Sequence, residues 1–456
     1  MRIFVGFCLC LLVFVYFGRI QEMFLFLVPL QLGKAGVVLG LIGILAAAPR
    51  NLLSFVKETP LGRMMALLLV LAIIGIPFSV WPGGSVDSCK SLSRQLLMVS
   101  IIVGLARFCG TQLLRFSCML AVGIMALLMV LEESTGRASA GTRYDPNDVA
   151  LLFIVFLPVV IAEALHGGRF WRPFAWSIAV MAIMGIALTG SRGGILALAA
   201  VGIYVLFAMK TRRWLLIPLL AIGVGLTLGV VDDSVWERFA ALGDDSDYNF
   251  SDKNGRIVIW GHGIDFIIRN PLFGVGIGQF GTAIFTHGFG AGLTAHNSFI
   301  QIGTELGLPG FVVFIAILRI LYRLSKKGAG ADFLSKADRQ RFWVLRFSLA
   351  GFCVGGFFLS QAYGVILYTF VALAAAMFLE LRDAERQALA MEQEVVFVED
   401  IPAEAVSVEP SVAPESSPRV RTLTRTQREA LLSHGDTHAL RRKSQVPQER
   451  KGGEVL

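Results

Sequence analysis

Two arginines and a histidine stand where an apolar chain has little reason to keep them. Arg192 lies in Thr189-Gly190-Ser191-Arg192-Gly193-Gly194, a tight turn between two hydrophobic stretches. Arg256 opens Arg256-Ile257-Val258-Ile259-Trp260 in a long connection, and His296 stands in Ala295-His296-Asn297-Ser298 just before a further hydrophobic stretch. A guanidinium is permanently charged, and its planar fork matches two phosphate oxygens at once. Imidazole is the side chain best suited to take or orient a proton near neutral pH. Two forks and an imidazole fit transfer of a group from a diphosphate to an acceptor hydroxyl. Catalysis would then be charge stabilisation of the leaving diphosphate together with acceptor orientation. The chain has no HExxH, and the expected chemistry is metal-independent and without a cofactor. A plainer role for Arg192 is snorkelling to lipid headgroups. That accounts for its charge but not for its Gly-Ser-Arg-Gly-Gly setting.

The elements that must position these residues are membrane helices. Of 456 residues, 55% are hydrophobic and 16% are charged, whereas a soluble domain carries about 25% charged residues. The apolar residues come in blocks long enough to cross a bilayer, with no ten-residue alternation of the kind a β-barrel needs. The expected fold is therefore all-α, a polytopic bundle of about twelve transmembrane helices. The blocks run over 3–17, 35–48, 62–80, 95–108, 113–131, 147–165, 174–190, 194–209, 213–231, 297–321, 343–360 and 363–380. Arg50, Lys57, Arg63, Arg107, Arg115, Arg169, Arg172, Lys210, Arg212 and Arg213 fall in alternate loops, as do the basic residues from Arg323 to Arg341. The positive-inside rule makes those loops cytoplasmic and places both termini inside. The turn at Arg192 and the long loop 232–296 then face outward. The six cysteines show no zinc spacing, and a structural disulfide is not expected.

Two segments depart from the rhythm of span and loop. In the long loop, Asn254 reads as a helix cap, and Trp260, Ile264 and Ile267 share one face of an amphipathic helix beginning near Arg256. Asn270-Pro271-Leu272-Phe273-Gly274-Val275-Gly276-Ile277-Gly278 ends that helix. No strand precedes the glycines, so a nucleotide fingerprint is excluded. Beyond the loop, His296 is expected above a stripe formed by Gly303 and Gly307, a groove for a neighbouring helix. Glu305 reads as a buried hydrogen-bonding group reaching a neighbouring helix. The transmembrane domain is expected over 1–380. Residues 381–456 form a largely disordered cytoplasmic tail whose basic end is drawn to membrane lipids, and no nucleic-acid partner is expected.

Taken in order, these motifs resemble the O-antigen ligases and the related O-antigen and exopolysaccharide polymerases. The resemblance rests on Ser191-Arg192-Gly193-Gly194, on Arg256-x-x-x-Trp260 leading into Pro271-Leu272-Phe273-Gly274-Val275-Gly276, and on His296-Asn297 with Glu305-Leu306-Gly307. Tyr144-Asp145-Pro146-Asn147-Asp148 also resembles a segment of the family, and Arg143 directly precedes it. The resemblance implies a periplasmic active site under the long loop of an inner-membrane protein. It implies a donor glycan on undecaprenyl diphosphate, a glycan or lipid A-core acceptor, and partners in polysaccharide assembly. Arg192 and Arg256 would bind the diphosphate and His296 would serve the acceptor side. Ser191, Trp260, Asn297, Asn147 and Arg143 are the candidate substrate-binding residues. Trp260 stands where many ligases have leucine, and the long tail is a further departure. Two other classes stay open at this point. A peptidoglycan-type glycosyltransferase would use an external acid among Asp232, Asp233, Asp244, Asp245, Asp247 and Asp252. A transporter would show internal repeats and charges at mid-depth.

Overall fold

Proline and side-chain caps begin the helices. Pro60, Pro82 and Pro146 each stand in a first turn, where the missing N–H has no intrahelical use. Thr59, Asp145, Asn297 and Ser335 accept from backbone N–H groups two or three residues on, satisfying donors that a helix start leaves open. The computed structural model describes residues 1–131, 144–208, 255–288, 290 and 293–399. The expected span 213–231, Arg143, Asn254, the acids from Asp232 to Asp252 and the tail from residue 400 lie outside these residues.

The described order is α1 (Arg2–Tyr16), α2 (Ile20–Met23), α3 (Leu32–Ala47), α4 (Ser54–Glu58), α5 (Pro60–Gly75), α6 (Pro82–Cys109), α7 (Thr111–Leu131) and α8 (Pro146–His166). It continues with α9 (Trp171–Leu188), α10 (Arg192–Ala208), α11 (Arg256–Arg269), α12 (Phe280–Thr286), α13 (Ser298–Ala329), α14 (Lys336–Gly356) and α15 (Val365–Glu399). The described residues contain no β-strand. Among the described residues, seven helices are long and apolar enough to cross a membrane: α5 with its extension to Phe78, α6, α7, α8, α9, α13 and α15. The chain is an all-α, multi-pass membrane protein. The apolar α1, α3 and α10 are shorter, at 15, 16 and 17 residues, and α14 carries five charged side chains over its 21 residues.

Helix α8 is the axis of the bundle. It is the most deeply buried of the membrane-length helices described and packs against α9 and α14. The compact unit covers Met1–Glu392; of the second, Gln393–Leu456, only 393–399 are described, as helix. The span expected over 95–108 is longer than its apolar block, because α6 begins at Pro82 and carries Lys90 and Arg94 within it. No proline interrupts the helix after its first residue, and Lys90 pairs with Asp87 one turn away at 2.9 Å. At the end where α8 finishes, Arg115 and Glu163 form a buried pair at 2.8 Å, and Glu58 binds both Arg107 (2.8 Å) and Arg382 (2.5 Å). These contacts tie α4, α6, α7, α8 and α15 together away from the site described below.

Helix α13 is interrupted, and the interruption is filled by another part of the chain. Gly307 has φ 66° and ψ −169°, and Pro309 lacks the N–H that would return to the Glu305 carbonyl. The freed groups find partners in residues 271–280. Val275 N–H donates to Thr304 O at 2.8 Å, Gly276 N–H to Glu305 O at 3.1 Å, and Leu308 N–H to Pro271 O at 2.8 Å. The Glu305 carboxylate accepts from Gly278 N–H (2.9 Å) and Phe280 N–H (3.4 Å). On the loop's other side, Val80 N–H donates to Val275 O at 3.0 Å and Ser85 Oγ to Ile277 O at 3.2 Å. Phe78 stacks on Phe273 with ring centroids 4.0 Å apart. Glu305 is thus buried and hydrogen-bonded as expected, to the glycine loop through Gly278 and to the start of α12 through Phe280. The groove expected at Gly303 and Gly307 is where α11 and the loop lie. A Cβ on Gly303 would lie 2.8 Å from Ile267 of α11, and one on Gly307 would lie 2.6 Å from Pro271 O.

These environments give two glycines opposite responses. Gly307→Ala meets both a left-handed φ and the Pro271 carbonyl, so it is expected to destabilise by about 2 kcal/mol or more. Gly261, in α11 with open space around its missing Cβ, gains about 0.5–1 kcal/mol as alanine by the usual helix preference. Thermal unfolding of the purified protein in detergent checks both signs.

Candidate functional site

The site lies at the end of the bundle where α8, α10 and α13 begin and α9 and α14 finish. His296 immediately precedes the cap of α13. Its φ of 43° puts it in the left-handed region, uncommon for a residue with a side chain, and turns the chain sharply into the helix. Asn297 Oδ1 accepts Phe299 N–H at 2.9 Å and Ile300 N–H at 3.1 Å, and the residue is buried. That oxygen is engaged as a cap, which leaves its Nδ2 for any other partner. On the other side of His296, Trp260 Nε1–H donates to Ala295 O at 2.8 Å. The indole therefore holds the residue before the imidazole, and the cap holds the residue after it.

Arg256 is the first residue of α11, and Gly255 caps that helix without a side chain. The face that α11 buries differs by about one residue from the expected one. Ile259, Gly263 and Phe266 are inside, while Ile264 is 50% exposed. The reason lies at Gly263, where Thr304 Oγ donates to the backbone carbonyl at 3.0 Å and a Cβ would meet Ile300 at 2.5 Å. The close approach of α13 sets the rotation of α11, and Trp260 is left partly buried and aimed at the His296 turn. Burial holds the His296 pKa below its ordinary value, and the positive charge of Arg256 lowers it further, with Asp145 acting in the opposite sense. Burial and Arg256 together thus favour the neutral imidazole.

The Arg192 turn is built by its neighbours. Ser191 Oγ accepts Gly194 N–H at 3.1 Å, which caps α10, and Gly190 supplies the positive φ of 57° that the turn requires. The flanking glycines leave room for particular groups. A Cβ on Gly193 would lie 3.2 Å from Phe358, and one on Gly194 would lie 2.8 Å from Ala150 of α8. Asn147 stands in the first turn of α8 with its N–H on Asp145 Oδ1 at 2.7 Å.

Residues with no motif of their own bring the three motifs together. Phe358 packs at the Arg192 turn, and the adjacent Phe357 meets the Trp260 ring edge-on at 5.2 Å. Both follow the last residue of α14. The α14–α15 connection is therefore the common neighbour of the Arg192, Arg256 and His296 segments. The signal in the sequence was a polar interruption, Ser360-Gln361-Ala362-Tyr363, between two apolar helices. Among the described residues, no three His, Cys, Asp or Glu side chains gather as they would around a metal ion.

Residues 177–315 match the family model described as O-antigen ligase. The chain carries an O-antigen ligase-family domain. Its matched stretch contains Ser191, Arg192, Arg256, Trp260, His296 and Asn297, the set on which the resemblance rests. Asn147 and the α14–α15 connection lie outside it. No curated protein matches the chain. The matched domain and the membrane-helical body support a glycan-transferring membrane enzyme of ligase or polymerase type.

The geometry yields two expectations. Arg256→Gln removes a charge that disfavours the imidazolium, so the pKa of His296 rises; the pH dependence of its carbethoxylation, followed on the His296 peptide by mass spectrometry, reads this directly. Trp260→Phe keeps the aromatic contact with Phe357 but loses the bond to Ala295. Stability then changes by no more than about 1.5 kcal/mol while the transfer rate falls by roughly tenfold through misplacement of His296. An unchanged rate in Trp260→Phe rules out that positioning role.

Proposed function

We propose that this protein transfers a glycan from undecaprenyl diphosphate to an acceptor hydroxyl at the periplasmic face of the inner membrane. The observation that carries the reading is the meeting of the Arg192, Arg256 and His296 segments around one connection, within a domain of the O-antigen ligase family. Arg192 and Arg256 hold the two phosphates with charge-assisted hydrogen bonds. His296, kept neutral by burial and by Arg256, takes the proton of the acceptor hydroxyl. The acceptor oxygen forms a bond to the anomeric carbon, and the bond from that carbon to the diphosphate oxygen breaks. The electron pair leaves with the diphosphate, where the arginines stabilise it. No metal ion is needed for this charge balance.

The distribution of Lys and Arg supports a periplasmic site, with both termini cytoplasmic and about twelve spans over residues 1–380. Residues 381–456 then form the cytoplasmic tail. The exposed isoleucines 257, 264 and 268 give α11 an apolar stripe on its free side, a surface along which a polyprenyl chain reaches Arg256 from the bilayer. Lipid A-core and a second lipid-linked glycan both present a sugar hydroxyl, so ligation and polymerisation share this mechanism and differ in acceptor.

Purified protein given a lipid-diphosphate-linked glycan and each acceptor in turn, with chelator present, is expected to transfer to one of them. Arg192→Lys and Arg256→Lys should each lower that rate by 100-fold or more, because lysine keeps the charge and loses the fork. Full activity in both variants would remove the diphosphate role.

A further inference from the structure

The α14–α15 connection makes polar contacts that the transfer chemistry leaves unassigned, and Gln361 is their centre. Its Nε2 donates to Asp148 Oδ1 at 2.6 Å, and its backbone N–H donates to Ser298 Oγ at 2.9 Å. The Ser298 hydroxyl donates in turn to Leu359 O at 2.6 Å, and Ala362 N–H reaches Gln301 Oε1 at 3.4 Å. Gln361 Oε1 fills the space beside Gly364, where a Cβ would fall 1.8 Å away. The carboxylate oxygen accepts, which assigns the amide nitrogen to the side facing Asp148. Asp148 belongs to the first turn of α8, next to Asn147 and within the cap made by Asp145. Ser298 is the first residue of α13, two positions after His296. One side chain and its own backbone therefore join the two helix starts that carry Asn147 and His296. At 2.6 Å the bond is short for a nitrogen donor.

We propose that Asp148 and Gln361 are a positioning pair for glycan transfer, holding the starts of α8 and α13 in one register so that Asn147 and His296 address the same acceptor. The inference rests on the transfer reading above, and neither residue contacts the reacting atoms in it. Its content is the direction of one hydrogen bond: an amide donor at 361 and an oxygen acceptor at 148.

The test exchanges donor and acceptor. Gln361→Glu sets two carboxyls against each other at a bonding distance, where like charge disfavours the second ionisation. While the pair shares one proton, the hydrogen bond survives. Once pH rises and both ionise, it is replaced by repulsion. Arg19 and Asp145 are the charged groups that act on Asp148, and both stay in place in every variant. Transfer by full-length Gln361→Glu protein, with a lipid-diphosphate-linked glycan as donor, is expected to be close to wild type at low pH. At pH 8 its kcat should be at least tenfold lower, with donor KM and melting temperature unchanged. Adding Asp148→Asn restores a donor–acceptor pair of reversed polarity. The double variant should return to within threefold of wild type and lose the pH dependence.

A Gln361→Glu protein as active as wild type at pH 8 overturns the proposal. So does a double variant no better than the single one, which would mean that the charge of Asp148 acts by itself. Losses that merely follow the melting temperature would also overturn it, since they mark a role in folding alone. A wild-type protein that transfers to no acceptor takes away the transfer reading and this inference with it. An active wild type with unaffected variants takes away the pair alone.

Discussion

The exchange of hydrogen bonds between the interrupted α13 and residues 271–280 is the constraint on which the site depends. A helix broken within an apolar bundle leaves polar backbone groups with no water to receive them, so the break persists only where protein groups satisfy them. Here the Thr304 and Glu305 carbonyls, the Leu308 N–H and the Glu305 carboxylate all find partners in the loop, and the residues from Val80 to Ser85 complete the other side. Replacing that loop would leave several buried groups open at once. The proline and glycines of the loop are thus explained by accommodation to α13 and not by an anion.

From this exchange the placement of the candidate residues follows. The loop ends α11, and Thr304, whose carbonyl receives Val275, also binds Gly263 through its hydroxyl. That second bond sets the rotation of α11, which brings the Trp260 indole onto the Ala295 carbonyl. The His296 turn is consequently positioned by a helix distant in sequence and by the cap of its own helix. The contact of Phe357 with Trp260 and of Phe358 with Gly193 extends the same register to the Arg192 turn.

Much of the architecture was legible in the chain, because its signals are local. Pro146 after Asp145, and Asn297 before an apolar run, mark helix starts through the chemistry of the first turn. The length of apolar blocks identified membrane helices, and the order of Ser191-Arg192-Gly193-Gly194, Arg256 and His296-Asn297 carried the family resemblance now matched over 177–315. What could not be read locally was pairing across the bundle. Periodicity assigned α11 the face of Trp260, Ile264 and Ile267, but the absence of a side chain at Gly263 drew α13 in on the adjacent face. The helical extrapolation from His296 to Gly307 failed because Pro309 and the distant loop together end the helix geometry at Gly307. Gln361 and Phe357 carry no motif, since their importance comes from what the fold sets beside them.

The placement of a guanidinium close enough to depress the basicity of His296 has a kinetic meaning if Arg256 carries the donor diphosphate. An empty site holds a weak base, which seldom keeps a proton taken from water or from a waiting hydroxyl. Arrival of the diphosphate cancels the charge of Arg256, and the same imidazole becomes a stronger base without moving. The acceptor is then activated only when a donor is present to be attacked. Departure of the lipid diphosphate restores the field of Arg256 on the imidazole and expels the proton. The cycle would thus be ordered by charge, with the donor serving as the key to its own reaction.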